Sequence, residues 1–477
     1  NLNSNPDREV IFGDPSGKIH AVKADGSSVA GFPINVGSAV IGSIAMGDVD
    51  NNGVKDFAAG FQNNNIMLFG PTGNTIWTVP AGGTLRNGPV MADLANNGQS
   101  KVIAVTQTGS LVVLNADGSP YPNFPVSLGG ACLGTPAVAD LNGDGIHEIL
   151  VATLNGTLHA INSATGQNIA GFPVTMPSGS QNPITIANLD SDNHPEIIVT
   201  TSTSGHILAY NHDGTVHFQK SIGGQIKTGA VVADVNNDGN KEIIVIGAAG
   251  VVNVLTTAGA DLPGTPINVG QAVECTPTVA YFDGDNMAGI IFGDTNGYVH
   301  SVRIDGTESP NFPLRINGNV KTSAALGDID LDGDLDIVIP NDASFYVIDV
   351  KRPAQSIPWH CYLGTYNRAG NSYQTTPVAD NSIPELNTRL HGNFPNPFNP
   401  STVICFELAE SGPVTLEIYN QKGQLVSTLV DANLPAGNHS AAWNGTDASG
   451  DAVSSGVYFY RMRSGAFSST RKMVLMK

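Results

Sequence analysis

The stretch Val138–Asn162, VADLNGDGIHEILVATLNGTLHAIN, carries the pattern that decides the fold. A small apolar run leads into an Asp/Asn/Gly loop that starts at Asp140. Glu148 then opens a β-branched run, Asn155-Gly156 makes a turn, and Thr157–Asn162 alternates. The same phrase begins at Ala45, Met91, Ile186, Val232, Val279 and Leu326. The first loop positions are 48, 93, 140, 188, 234, 281 and 328, spaced by 45, 47, 48, 46, 47 and 47 residues.

Working outward, each unit continues through a DG-type turn, as at Asp25-Gly26, Asp117-Gly118, Asp213-Gly214 and Asp305-Gly306. Most units then close on a short segment such as GFPI (Gly31–Ile34), NFPV (Asn123–Val126), GFPV (Gly171–Val174) or NFPL (Asn311–Leu314). Proline lacks a ladder donor, so this last segment is an edge strand. Period-2 alternation, β-branched residues and glycine turns every 8–12 residues predict four short strands per unit. Four strands in about 47 residues, repeated, is the signature of a β-propeller. The expectation is an all-β fold: a seven- or eight-bladed propeller over residues 1–374, a linker at 375–390, and a second module at 391–477. Eight blades is the favoured count, because Glu9–Val22 already begins mid-unit. The strand missing before Glu9 would come from residues upstream or from the closing segment Trp359–Tyr373. A start inside a repeat, with no initiator Met, reads as a processed chain.

The loops place oxygen-bearing side chains at positions 1, 3, 5 and 9, usually with Gly at 6. Hard Ca²⁺ takes six to eight oxygen ligands, and alternate residues of a tight turn can face one ion. Five loops carry the set: Asp48, Asp50, Asn52 and Asp56; Asp140, Asn142, Asp144 and Glu148; Asn188, Asp190, Asp192 and Glu196; Asp234, Asn236, Asp238 and Glu242; Asp328, Asp330, Asp332 and Asp336. Two depart from it. The second has Ala95 at position 3 and Lys101 at position 9, and the sixth has Tyr281 first and Gly289 last. About five Ca²⁺ sites are expected rather than seven. Asp, Asn and Gly are also ordinary turn residues. Yet carboxylates about 4 Å apart repel by about 1 kcal/mol per pair even at water's dielectric constant. The pattern resembles the calcium loop of FG-GAP or VCBS-type repeats, the integrin-α-like propellers.

The composition fits this reading. The 477 residues hold 41 acids against 22 bases, a formal charge of −19, with only 13% charged residues. Five-loop carboxylates account for 17 of the acids, so five Ca²⁺ would bring the charge near −9. The scarcity of Lys and Arg argues against nucleic acid, and no apolar run reaches the roughly 20 residues of a membrane span. The four cysteines (Cys132, Cys275, Cys361, Cys405) show no CxxC; Cys132 and Cys275 read as free, buried thiols. His20, His159 and His300 hold one repeat position on different blades and are structural. No GxSxG, HExxH or P-loop is present, so no catalytic residue is assigned and no enzyme is expected.

After IPWHCYLGTYNRAGNSY (Ile357–Tyr373) the pattern changes. Alternation in Val403–Leu408 and Val414–Tyr419, with glycine turns, predicts a small immunoglobulin-like β-sandwich with Trp443 and Tyr458 in its core. Asn396-Pro397-Phe398-Asn399-Pro400, Gly423, Gly437, Trp443-Asn444-Gly445, Asp447, Gly450, Gly456-Val457-Tyr458 and Arg471-Lys472 carry a resemblance to the C-terminal sorting domain of type IX secretion cargo. That domain is related to the immunoglobulin-like domain of flagellar hook-capping proteins. The resemblance implies export by the type IX machinery to the bacterial surface or exterior. The expected function is binding, adhesion or assembly. Partners would be a glycan or protein on a propeller face, or copies of the chain itself. Alternatives are a polysaccharide lyase, which would need a basic and aromatic cluster in one channel; the processed C-terminal part of a larger exported enzyme such as a peptidase; and a filament subunit.

Overall fold

In a computed structural model, the chain is described over residues 8–190, 192–283, 287–341, 344–353, 356–359, 361, 388–394, 396–408, 411–434, 437–465 and 467–476. It divides into two compact units, Asn1–Thr376 and Pro377–Lys477.

Each repeat of the first unit folds as an antiparallel sheet in chain order. The fourth sheet, for example, runs Ala137–Ala139, Glu148–Ala152, Thr157–Asn162 and Val174–Thr175. Alternate side chains of one strand point to opposite faces, and here both faces are covered. Ile149 and Val151 pack into a cluster shared with the third sheet, and Leu150 and Ala152 into one shared with the fifth. This is why such runs read as continuously apolar: each strand is buried on both sides. Seven clusters of this kind lie between eight successive sheets. The ring closes where Phe12 of the first sheet meets Phe345 of the eighth, with ring centroids 4.7 Å apart. The propeller therefore has eight blades.

The edge assignment needs refining. The outer strands are only two residues long and begin just after the proline, as in Ile34–Asn35 and Val126–Ser127. Blades two and five lack the Phe-Pro phrase and carry longer outer strands, Thr75–Pro80 and Val216–Ser221. Of the closing segment Trp359–Tyr373, only Trp359 and Cys361 are among the described residues. Among the described residues the first sheet has three strands (Val10–Gly13, Lys18–Val22, Ile34–Asn35), and Ser356–Trp359 pairs with the innermost strand of the seventh sheet, Thr278–Tyr281. Trp359 is 1% exposed and belongs to the cluster between blades six and seven. Residues 362–373 of that segment lie outside the described residues, as does nearly all of the expected linker 375–390.

The second unit has two sheets. One joins Arg389–Phe394, Thr402–Leu408 and Gly437–Trp443; the other joins Leu425–Leu434, Gly412–Asn420, Gly456–Ser464 and Phe467–Leu475. Inward residues such as Leu416, Ile418, Tyr460 and Met473 fill its core. Trp443 and Tyr458 sit there as expected, rings 5.0 Å apart and edge-on. Their polar ends are satisfied: Trp443 Nε1 donates to the Thr446 carbonyl and the Tyr458 hydroxyl to that of Ser454. Among the described residues, no helix is long and apolar enough to cross a membrane.

Packing between blades makes a direct prediction. Phe57 is fully buried, 5.0 Å from Phe69 and 6.1 Å from Phe32 between ring centroids. Phe57→Ala should cost about 3–5 kcal/mol, whereas Val216→Ala at an exposed edge should stay within about 0.5 kcal/mol. Urea unfolding of the two variants measures the difference.

Candidate metal centres

All the acidic loops join the innermost strand of a blade to the next one, so they share one face of the ring. Their local fold follows from hydrogen bonds that the sequence supplies. The position-one carboxylate accepts the N–H of position six: Gly53 to Asp48, Gly145 to Asp140, Gly239 to Asp234 and Gly333 to Asp328, at 2.7–3.0 Å. Those glycines have φ between 82° and 96°, a left-handed conformation costly for other residues. Position four is left-handed as well, at Asn51, Gly143, Asn237 and Leu331. The signal for it, Asn or Gly at that place, was present in three of the four loops; Leu331 gives no such sign.

The position-nine acid closes each loop. Asp56, Glu148, Glu196, Glu242 and Asp336 are all buried, and each accepts the backbone N–H of position two: Val49, Leu141, Leu189, Val235 and Ile329. Burial, reinforced by the neighbouring aspartates, pushes Glu148 and Glu242 up to about 7 and Asp56 up to about 6. Glu196 and Asp336 are raised for the same first reason. Glu196 is wholly buried and its Oε1 has no hydrogen-bond partner among the described residues.

Three loops bring carboxylates together. Asp48, Asp50 and Asp56 each offer an oxygen within 4.8 Å of the others; so do Asp190, Asp192 and Glu196, and Asp328, Asp330 and Asp332. The third and fifth loops give no such triple among the described residues. Each of these three triples includes an acid at position three, and there the third and fifth loops have Asn142 and Asn236. Asn188 turns its amide to the Asp192 carbonyl, 2.5 Å away. A further group, Asp332, Asp334 and Asp349, was not foreseen, because Asp349 lies on the paired strand Phe345–Pro353 rather than in the loop.

The two departing loops are informative. The second keeps the turn, with Gly98 donating to Asp93 at 2.6 Å, although Lys101 occupies position nine. Lys101 is buried with its ammonium 5.8 Å from the Tyr121 ring centroid. The turn thus forms without a full oxygen set. In the sixth loop the Tyr281 hydroxyl crosses to the Asp234 carbonyl, 2.9 Å away. Neighbouring loops are also stitched together: Ser100 N–H donates to the Asp48 carbonyl, His147 N–H to that of Leu94 and Ala288 N–H to that of Val235.

The other singled-out residues stay apart. His20 bonds Asp14, His300 lies between Asp294 and Glu308, and His159 bonds Asn168, each within its own blade. Cys132 and Cys275 are free, buried, and held up at about 11 by burial.

Residues 188–245 match the FG-GAP-like repeat family, and residues 400–466 match the FlgD Ig-like domain family. No curated protein matches the chain in sequence. Among solved structures, BamB from Moraxella catarrhalis superposes with a TM-score of 0.50 at 14% identity, over 72% of this chain and 93% of that one. Sqt1 from Saccharomyces cerevisiae gives 0.53 at 14% identity, also over 72% and 93%. The fold is that of a β-propeller with FG-GAP-like repeats followed by an immunoglobulin-like domain, and its acidic clusters could hold metal.

A pH dependence follows for the chelated protein. A carboxylate raised on folding lends stability below its unfolded value near 4.5 and loses it as pH rises through its folded value. Stability should therefore fall between about pH 4.5 and 7. The buried imidazoles of His147 and His159, lowered by burial, act in the opposite sense near neutrality. Comparing melts of wild type with Glu148→Gln/Glu242→Gln isolates the acids: the variant should lose part of the fall, and an unchanged slope contradicts their assignment.

Proposed function

We propose that the chain is a calcium-stabilised, non-enzymatic binding module of the bacterial exterior. The observation that carries this reading is the repeated burial of an acid against other acids at position nine, most sharply at Glu196, whose inner oxygen lacks a partner. Removing carboxylates from water without a counter-charge is costly, and five loops repeat the arrangement. A divalent ion of oxygen preference resolves it, and Ca²⁺ suits the mixture of carboxylate, amide and carbonyl oxygens. The residues that would hold it are those of positions 1, 3, 5 and 9 in the five loops, with Asp334 and Asp349 beside the seventh. The FG-GAP-like match at 188–245 covers the fourth and fifth of these loops. Its role is structural: hydrogen bonds between neighbouring loops would spread the ion's effect around the face.

The C-terminal unit is the export element in this proposal. The FlgD Ig-like match at 400–466 supports the immunoglobulin-like part of that reading. The phrase Asn396–Pro400 is tied to the unit's core, since Phe398 is 2% exposed and lies 5.5 Å from Trp443. Deleting residues 391–477 should leave the propeller inside a host that has the type IX machinery, as cell fractionation would show.

Calcium is tested by melting. Binding only to the folded state adds about 2.7 kcal/mol per site at a ligand concentration of 100 Kd, so millimolar Ca²⁺ should raise Tm strongly over the chelated protein. Glu148→Gln/Glu242→Gln should invert its effect: at pH 7.5 it should raise Tm in chelator and lower it in calcium. A Tm indifferent to calcium defeats the proposal.

A further inference from the structure

Eight asparagines of the chain stand directly before a glycine. Such a step can close on itself, because a glycine nitrogen has no side chain beside it to bar its approach to the asparagine amide. Local structure decides how readily it closes. The nitrogen must lose a proton, the amide carbonyl must take up charge, and the new ring needs room.

In two acidic loops the first two demands are met by bonds already made. Gly53 N–H donates to an Asp48 carboxylate oxygen at 2.7 Å, and Gly143 N–H to one of Asp140 at 2.8 Å. On the other side of each reacting pair, Asn52 Oδ1 accepts the Val54 N–H at 2.7 Å and Asn142 Oδ1 that of Asp144 at 3.0 Å. Each asparagine therefore lies between a proton acceptor on the attacking nitrogen and a donor on the carbonyl to be attacked. Asn52, Gly53, Asn142 and Gly143 are all exposed. A methyl group at Gly53 would meet nothing within 4 Å, and one at Gly143 only His194, at 3.8 Å. Room and water are thus at hand in both places.

The other six steps lack one of these provisions. Gly156 and Gly297 donate to the backbone carbonyls of Thr153 and Asp294, at 3.2 and 3.3 Å, and a carbonyl is no base. Among the described residues no carboxylate accepts from Gly88, Gly318 or Gly445. Asn97 has both bonds, from Gly98 to Asp93 at 2.6 Å and from Gln99 to its own Oδ1 at 3.0 Å. There, however, a methyl group at Gly98 would press on Asn51 at 3.0 Å.

We propose that Asn52 and Asn142 are sites of self-catalysed deamidation, converted to aspartate or isoaspartate by the loops that hold them. At Asn142 the Gly143 nitrogen attacks Cγ and forms a C–N bond, its proton passing to Asp140. The charge that gathers on the carbonyl oxygen faces the Asp144 N–H. The proton is then delivered to the side-chain amine, the old C–N bond breaks, ammonia leaves and a cyclic imide remains. Water opens the imide. Asn52 reacts in the same way through Gly53 and Asp48. The aspartate product at 142 is the acid that the first, fourth and seventh loops already carry at position three. The inference goes beyond the binding-module reading and stands whether or not the loops take calcium.

The test follows all eight steps by peptide mapping and mass spectrometry. The full chain is incubated in chelator at mildly alkaline pH, well below its melting temperature, and in parallel in urea. In urea the eight should convert at similar rates. In the folded chain Asn52 and Asn142 should lead, each faster than in urea, while the other six slow down. Asp140→Asn keeps an oxygen acceptor for the turn and removes the base. It should slow conversion at Asn142 roughly tenfold or more and leave Asn52 unchanged, which shows on the same molecule that the fold persists. Folded-state rates at Asn52 and Asn142 no higher than in urea, or an Asp140→Asn variant that converts Asn142 as fast as wild type, overturns the proposal. The calcium melt is read separately: a Tm indifferent to calcium defeats the ion assignment and leaves this result standing.

Discussion

Everything in the first unit depends on covering both faces of every sheet. A single blade of four short strands cannot bury its apolar residues alone, because alternation sends half of them to each side. Ile149 and Val151 need the third blade as much as Leu150 and Ala152 need the fifth. A row of such sheets always leaves two outer faces uncovered unless it closes on itself. Closure is therefore an energetic requirement, met where Phe12 meets Phe345. Among the described residues the first blade shows no inner strand and the eighth no outer one, and these two blades meet at the closure.

Closure has an electrostatic counterpart. Because every innermost strand runs in the same sense, whatever the repeat places at its two ends accumulates on two different faces. One end collects the acidic loops; toward the other lie the residues that lead into the strand, where Lys227 and Lys321 both meet Glu274. The overall charge of −19 conceals this separation. Burial acts on it unevenly: the position-nine acids are raised by desolvation, whereas Glu274 is held below the ordinary carboxylate range, chiefly by its hydrogen bond from Lys227. Acids of equal formal charge thus differ in what they require of their surroundings.

Most of the fold was legible because the repeat announces itself. Asp, Asn and Gly at fixed loop offsets, then β-branched runs, define the strands and their order without reference to distant contacts. The candidate site was legible in part: the loop offsets bring carboxylates together at the first, fourth and seventh loops, and not at the third and fifth among the described residues. Three features escaped for a common reason, which is that each depends on residues brought together across the chain. Asp349 approaches Asp332 and Asp334 only through strand pairing. Lys227 and Lys321 meet Glu274 only because the sixth, seventh and eighth blades stand side by side. Trp359 reads as the end of the repeat, yet its indole is buried in the cluster between blades six and seven.

That last placement bears on how the chain carries load. Ser356–Trp359 is hydrogen-bonded to the innermost strand of the seventh sheet, and the polypeptide continues from it toward the second unit. Tension that reaches Ser356–Trp359 meets an inner strand, not a blade's outer edge. To pass further it must break a strand pair and extract a fully buried indole together. Had the chain left from a two-residue outer strand, it would peel away with little resistance. The route of the backbone therefore makes the axis of the propeller its mechanical anchor.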